Sequence, residues 1–594
     1  MFVNGVLILT VSNILVKAIG LLFKIPLHSY LGDVGMGYFN AAYTIYTAFF
    51  MISTAGLPVA ISYMISRSRA AGNFNQVKKI MRIAFFVFLI IGSIGTLSMF
   101  FGSGMFANLT DFPDAKHCMM AIAPTLFFVC LTSAFRGYFQ GHQVMWPTAV
   151  SQLLESLGKL VIGIIFAKWS ISRNDPLYIT AAWTILGLTI GVFFGMAFIW
   201  VTKLLYNTSK VNAEYERPDS LTMPTERTKS LLKELVVMAV PVTLSSSVMS
   251  LANLIDLMVI SGRLQSIGFT KYGAAALYGN YTTLAVPLFN LIPVLVYPIG
   301  YSLVPMVSAM IVKKENTDRV INSSLKTAAI MSLPCTVGLA ALSKPILKLI
   351  YGAESVLAKY QHTLETQKEN LSKLLAIQNP TKDTLAAIDN AREVILETEN
   401  ILKDGKLYDI IKDGASSADI AAPLLTILAV SSFLVCMLAI TNSILQANKK
   451  PYLPLVSMLI GAGAKIVASM LLIGNESIGV YGVPISTNIC YIIVVLCNFY
   501  FCAKYANFRP SIRKIFAKPL IAAVLCGAAA IGAYALLYNA AGYSRMLAIP
   551  AIAAAAVVYF AAILVLGALE KEDFEFIPMG SKLLRVLTKL HLVK

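Results

Sequence analysis

Residues 177–202 read LYITAAWTILGLTIGVFFGMAFIWVT, with no charged side chain among them. A run of this length crosses the ~30 Å hydrocarbon core of a bilayer as a helix, since in lipid the chain must pair its own backbone N–H and C=O groups. Similar runs recur at 4–23, 38–65, 82–101, 117–138, 146–168, 235–260, 276–311, 325–350, 420–446, 452–474, 480–503, 516–538 and 545–568. The fold class that follows is all-α and integral to a membrane, with about fourteen transmembrane helices. Composition agrees: 57% of the 594 residues are hydrophobic and 13% are charged, against about 25% charged in soluble domains. The first run starts at Val3 with no basic stretch before it, holds Asn13 and Lys17, and meets no small-residue cleavage site. It reads as a retained helix rather than a secretory signal.

The formal net charge is +18. It does not point to nucleic acid, because the basic residues collect in short loops between apolar runs, where topology signals sit. Loops after even-numbered runs, with the C-terminal tail, carry roughly 28 Lys or Arg, and the opposite loops roughly 8. The positive-inside rule then puts both termini in the cytoplasm. The end, SKLLRVLTKLHLVK (581–594), reads as an amphipathic helix on the inner, anionic leaflet or as a solvated tail. The eight cysteines lie in or beside apolar runs without a CxxC pair, and the five histidines have no ligand spacing. No metal and no cofactor are expected. No P-loop, GxSxG elbow, HExxH helix or clear DxD pair is found, which argues against an enzyme.

An internal repeat organises the chain. At a shift of 306, residues 129–161 match 435–467, with Gln140 over Gln446 and Lys159 over Lys465 as polar identities. Earlier segments match more weakly at a shift of 243, Tyr38 over Tyr281 and Val77 over Val320 among them. The difference of 63 is the length of one hydrophilic stretch, 354–416, so a single insertion reconciles both shifts. Two lobes of parallel topology follow, related by an axis along the membrane normal. The expected organisation is a first lobe at 1–205, a cytoplasmic linker at 206–234, and a second lobe at 235–353 and 417–505. Two further helices occupy 506–570, and a basic tail fills 571–594. The insertion 354–416 reads as a helical hairpin turning at Asn379-Pro380. Topology puts it outside the cytoplasm, either docking an extracytoplasmic partner or as a decoration.

Charged side chains inside spans are costly and turn toward the protein interior or water. Here they are Lys17, Glu155, Lys159, Asp256 and Lys465, with Lys24, Asp33 and Arg263 near the outer ends of the first and seventh spans. Glu155 and Lys159 are four apart, so they can pair on one helix face. Lys17 has no acidic neighbour within a turn. It answers to an anion in a central cavity, such as a pyrophosphate or carboxylate, or to Asp256, or it snorkels. Prolines interrupt many spans, with Pro287, Pro293, Pro298 and Pro305 all in the eighth, which makes that span the candidate bending gate.

Several stretches together resemble one family. They are KAIGLLFKIPLHSYLGDVGMGYFNAAYTIYT (17–47), TAGLPVAISYMIS (54–66), RGYFQGHQVMWPTAVSQLLE (136–155), NLIDLMVISGRLQSIGF (253–269), LYGNYTTLAVPLFNLIPVLVYPIGYSLVPMVSA (277–309) and TNSILQANKKPYLPL (441–455). The sequence is similar to the stage V sporulation protein B-like polysaccharide-biosynthesis flippases. These belong to the multidrug/oligosaccharidyl-lipid/polysaccharide exporter superfamily. The resemblance covers nearly the whole chain except 354–416. It implies a V-shaped, two-lobed fold with a central cationic cavity, working by alternating access in a bacterial cytoplasmic membrane. The headgroup would sit inside and the polyprenyl tail would trail among membrane lipids. By position, Lys17 and Lys24 match basic sites of the lipid II flippases, while Tyr63 stands where relatives often carry a basic residue. Lys465 falls where some of them bind sodium through acidic side chains, so no sodium coupling is expected.

On this reading the chain is a monomer that moves an undecaprenyl-pyrophosphate-linked saccharide, lipid II or a related precursor. Lys17, Lys24, Lys159 and Arg263 would bind substrate. Asp33, Glu155, Asp256 and Lys465 would serve gating and contacts between lobes. The alternative is a cation-coupled drug exporter on the same fold. It needs an acidic site in the first lobe, where Glu155 is the only deep carboxylate.

Overall fold

A computed structural model of the chain describes residues 2–54, 56–209, 224–377, 382–448, 450, 452–506, 508 and 512–567. The tail 581–594, the middle of the linker 206–234 and the turn at Asn379-Pro380 lie outside them. The described chain is helical, and its one extended pairing is an isolated antiparallel bridge between Ser355 and Ser416.

Twelve described helices are long and apolar enough to cross a membrane. The first, Val11–Arg69, runs over 59 residues, or about 88 Å if straight, enough for two crossings. It is broken at Gly32, whose φ of 61° lies in the left-handed region, where a side chain is disfavoured. His28 Nε2 and Asp33 Oδ1, 2.7 Å apart, brace the chain across that break. The seventh predicted span lies in the helix Thr228–Ser266, 39 residues long, which stands outside the twelve. The expected count of about fourteen and the observed twelve part at these two places. Large apolar side chains such as Phe101, Leu471, Val557 and Val565 are exposed, as in a chain solvated by lipid rather than water. The protein is a multi-pass membrane protein.

By contact the chain divides into two compact units, residues 1–279 with 359–408, and residues 280–358 with 409–594. The sequence repeat groups 235–279 with the second lobe; packing groups it with the first unit. In unit 1 the helices Leu57–Ala70, Phe74–Phe101 and Lys116–Gly141 share a core of Ile61, Met64, Ile80, Phe88, Phe135 and Phe139. Glycines bring the helices Trp146–Ser172 and Leu177–Ser209 together. Gly187, Gly191 and Gly195 recur every fourth residue along one helix, the spacing that lets membrane helices approach closely. A Cβ on Gly191 would lie 2.7 Å from the Lys159 backbone nitrogen and 2.9 Å from the Glu155 carbonyl oxygen.

The insertion contributes two helices, Val356–Leu375 and Lys382–Leu402, and a short third, Gly405–Ile411. Lys368 and Glu399, 2.9 Å apart, join the first two. Ile388, Ala391, Val394, Thr398 and Ile401 form the buried stripe of the second, while Leu375 and Leu385 are exposed.

Unit 2 shows how the proline-rich eighth span holds together. A proline has no N–H for the carbonyl four residues back, so each one in a helix frees an acceptor. Around Pro287 the helix loosens into a π turn, Tyr281–Ala285, followed by Val286–Phe289 and then Leu291–Val312. The Thr283 carbonyl, which Pro287 cannot serve, accepts from the Tyr351 hydroxyl at 3.0 Å. The Phe289 carbonyl, freed by Pro293, accepts from Ser432 Oγ at 3.2 Å. The Ile330 carbonyl, freed by Pro334, accepts from the Tyr559 hydroxyl at 2.6 Å. Neighbouring helices thus supply the missing donors.

Leaving a buried carbonyl without its donor costs about 1–3 kcal/mol. Tyr559→Phe is therefore expected to lower the thermal midpoint of the purified protein by several degrees. Tyr538→Phe, at an exposed tyrosine, should leave the midpoint unchanged.

Candidate functional site

The site grows from three helices of unit 1. The first half of Phe2–Thr54 supplies Lys17 and Lys24, seven residues apart and so on one face. Lys116–Gly141 supplies Arg136, and Trp146–Ser172 supplies Glu155 and Lys159. The glycine contacts at Gly191 fix the backbone from which Glu155 and Lys159 project.

Glu155 and Lys159 do not form the ion pair expected from their spacing. Glu155 Oε2 accepts from Arg136 Nη2 at 2.9 Å, with side chains 28% and 13% exposed. Arg136 Nε also donates to Ser151 Oγ at 3.1 Å. The guanidinium offers several donors in a fixed fork and captures the carboxylate. Lys159 instead lays its ammonium over two rings, 5.0 Å from the centroid of Phe23 and 4.9 Å from that of Tyr43. Glu155 remains within electrostatic reach of Lys159, and Lys159 within reach of Lys24. Arg136 and Lys159 therefore both act on Glu155, and Lys24 acts on Lys159.

An aromatic row continues along the first helix from this point. Ring centroids lie 6.2 Å apart for Phe23–Phe39, 6.3 Å for Phe39–Tyr43, 5.8 Å for Tyr43–Tyr46 and 6.0 Å for Tyr46–Phe50. Tyr43 and Tyr46 both feel the Glu155 charge.

The remaining predicted residues lie elsewhere. Lys17 is exposed and forms no ion pair among the described residues, so it does not answer to Asp256. Asp33 is buried beside His28. Asp256 is buried in Thr228–Ser266 and acts on Tyr278, whose hydroxyl bonds Thr44 Oγ1 at 2.9 Å. Arg263 is exposed in the last turn of that helix. Lys465 is buried in Leu453–Ile473 of unit 2. Tyr63 is 52% exposed. Arg136 falls within the expected span 117–138 but is missing from the charges named inside spans; it lies inside the helix Lys116–Gly141. The signal was present: Gly137, Tyr138 and Phe139 continue the apolar run past it.

A family profile described as "Polysaccharide biosynthesis protein" matches residues 2–311. The lipid II flippase MurJ of Bacillus subtilis (strain 168) is 25% identical over 367 residues, 59% of this chain and 66% of that protein. Stage V sporulation protein B of the same organism is 26% identical over 309 residues, 52% of this chain and 58% of that protein. The chain thus spans between 58% and 66% of these two relatives' own length. Among solved structures, a lipid II flippase MurJ in an inward closed conformation aligns with a TM-score of 0.61 at 14% identity, covering 94% of this chain and 98% of that one. An inward-facing multidrug resistance MATE family transporter of the MOP superfamily aligns with a TM-score of 0.52 at 12% identity, covering 82% and 97%. These two likenesses show the fold.

Gly191→Ala tests what positions the site. The new methyl meets backbone, so the helices must part, at about 1–3 kcal/mol. A lowered melting temperature is expected. Gly463→Ala, with nothing within 4 Å of its Cβ, should be neutral or stabilising.

Proposed function

The chain belongs to the polysaccharide biosynthesis protein family, and from that premise we propose that it moves an undecaprenyl-pyrophosphate-linked saccharide, lipid II or a related precursor, across the bacterial cytoplasmic membrane. It acts as a transporter, not an enzyme. The observation that carries this reading is Lys159, whose ammonium lies over Phe23 and Tyr43 while Arg136 holds the Glu155 carboxylate. Cations held in a low-dielectric span call for a counter-charge. A pyrophosphate supplies compact negative charge and acceptors that ammonium and guanidinium groups bind well.

In the proposed cycle, exposed Lys17 receives the pyrophosphate and passes it to Lys24 and Lys159, with Arg263 extending the positive field. The Glu155–Arg136 pair keeps the site from binding anions so tightly that it cannot release them. The aromatic row from Phe23 to Phe50 offers flat faces beside the headgroup, and the polyprenyl tail stays in lipid. Asp33, Asp256 and Lys465 serve the gating contacts. The chain works as a monomer, crosses the membrane fourteen times with both termini in the cytoplasm, and returns empty as a cation helped by the membrane potential. The relatedness to a protein named as a lipid II flippase supports the choice of cargo.

The test is to deplete the native lipid II flippase of a bacterial host, express this chain and measure lipid II accessible on the outer leaflet. Restored accessibility is expected, with Lys17→Ala abolishing it while membrane insertion stays intact. A properly inserted protein that restores nothing would remove lipid II as the cargo.

A further inference from the structure

The insertion is seated on unit 1 by a set of polar contacts. Asp404 Oδ2 accepts from the Thr270 N–H at 2.8 Å and from its hydroxyl at 2.7 Å. Lys359 Nζ donates to the Ser29 carbonyl at 2.9 Å. Gln367 Nε2 donates to Asn174 Oδ1 at 3.0 Å, and Asn390 Nδ2 to Asp175 Oδ1 at 3.2 Å. The Tyr178 hydroxyl donates to Glu393 Oε1 at 2.8 Å.

Glu397 is the buried carboxyl of this set. It occupies the buried stripe of its helix beside Val394, Thr398 and Ile401, and is 7% exposed. Oε2 accepts from the Leu177 N–H at 3.2 Å, but Oε1 is buried with no hydrogen-bond partner among the described residues. The groups that face it are Glu393 from its own helix, Asp114, and Lys271, which pairs with Asp114 at 3.3 Å. Three hydroxyls also feel its charge: Tyr38, which donates to Asp114 at 3.3 Å, Tyr178, packed against His117, and Tyr360. Two other carboxylates and one ammonium thus surround a carboxyl with an unfilled oxygen. No three His, Cys, Asp or Glu side chains among the described residues gather to hold a metal. The ligand that fits a lone buried carboxyl is a proton.

We propose that Glu397 is a proton-binding site that sets whether the insertion stays seated on unit 1. Burial, then Asp114 and Glu393, push its carboxyl up from 4.5 to about 7, against the opposing pull of the Leu177 N–H and Lys271. Released into water it returns to the ordinary carboxylate range. The seated state therefore holds a proton that the released state gives up. Seating is strongest below the released value, weakens as pH rises through the interval up to about 7, and is flat above it.

Spin labels at Ser172→Cys and Ser372→Cys, both exposed sites, report seating in the full-length protein in nanodiscs. Labelled protein with native cysteines alone sets the background. Between pH 5.5 and 8.5 the released-to-seated ratio should rise about thirtyfold. An Asp404→Ala background, lacking the Thr270 anchor, brings the released population into range. Glu397→Gln should stay seated at both pH values. Distances that ignore pH in both the native and Asp404→Ala proteins, or an unchanged shift in Glu397→Gln, would overturn the proposal.

Discussion

In hydrocarbon there is no water to take up a backbone N–H or C=O left unpaired, and the rest of this structure depends on that constraint. It makes the apolar runs helical. It also explains why an eighth span crowded with prolines can persist. The Thr283 and Phe289 carbonyls there, stranded by Pro287 and Pro293, and the Ile330 carbonyl of the ninth span, stranded by Pro334, each find a hydroxyl from another helix. These kinks are thereby tied to particular neighbours, so a bend at one proline is coupled to the position of Tyr351, Ser432 or Tyr559.

The same low dielectric shapes the charged cluster. A lysine at membrane depth must be offset, and the offset is built from the sequence upward. Glycines let two helices touch; the touch fixes the backbone at Glu155 and Lys159; the guanidinium of Arg136 takes the carboxylate. Lys159 is left to the faces of Phe23 and Tyr43. Ring faces stabilise a cation by roughly 0.5–2 kcal/mol, less than a full counter-ion. The arrangement holds Lys159 in place against the two rings.

Much of the fold was legible in the sequence. Run length and charge sparsity point to membrane helices, and the amphipathic spacing in 354–416 points to two helices, where Val356–Leu375 and Lys382–Leu402 lie. The lysines of the site were legible too, because a charge inside an apolar run stands out. The rest depends on tertiary contacts that periodicity does not carry. Spacing offered Lys159 as the partner of Glu155, but the geometry of a second helix decided for Arg136. The break at Gly32 falls in the gap between the runs 4–23 and 38–65, yet spacing does not show that helix continues right up to it on both sides. Glu397 does sit where an apolar residue belongs, between Val394 and Ile401, yet only the packed structure shows its facing carboxylates and unfilled oxygen.

The central claim is that positive charge in unit 1 recognises a pyrophosphate, and direct binding measures it. Purified protein in nanodiscs would be titrated with undecaprenyl pyrophosphate and with uncharged undecaprenol, and bound lipid counted by native mass spectrometry. The account predicts preference for the pyrophosphate, weakening with salt and falling tenfold or more in a Lys24→Gln, Lys159→Gln protein, since each lost charge-assisted contact is worth about 1.5–3 kcal/mol. Equal binding of the two lipids, or a preference untouched by those substitutions, would contradict it.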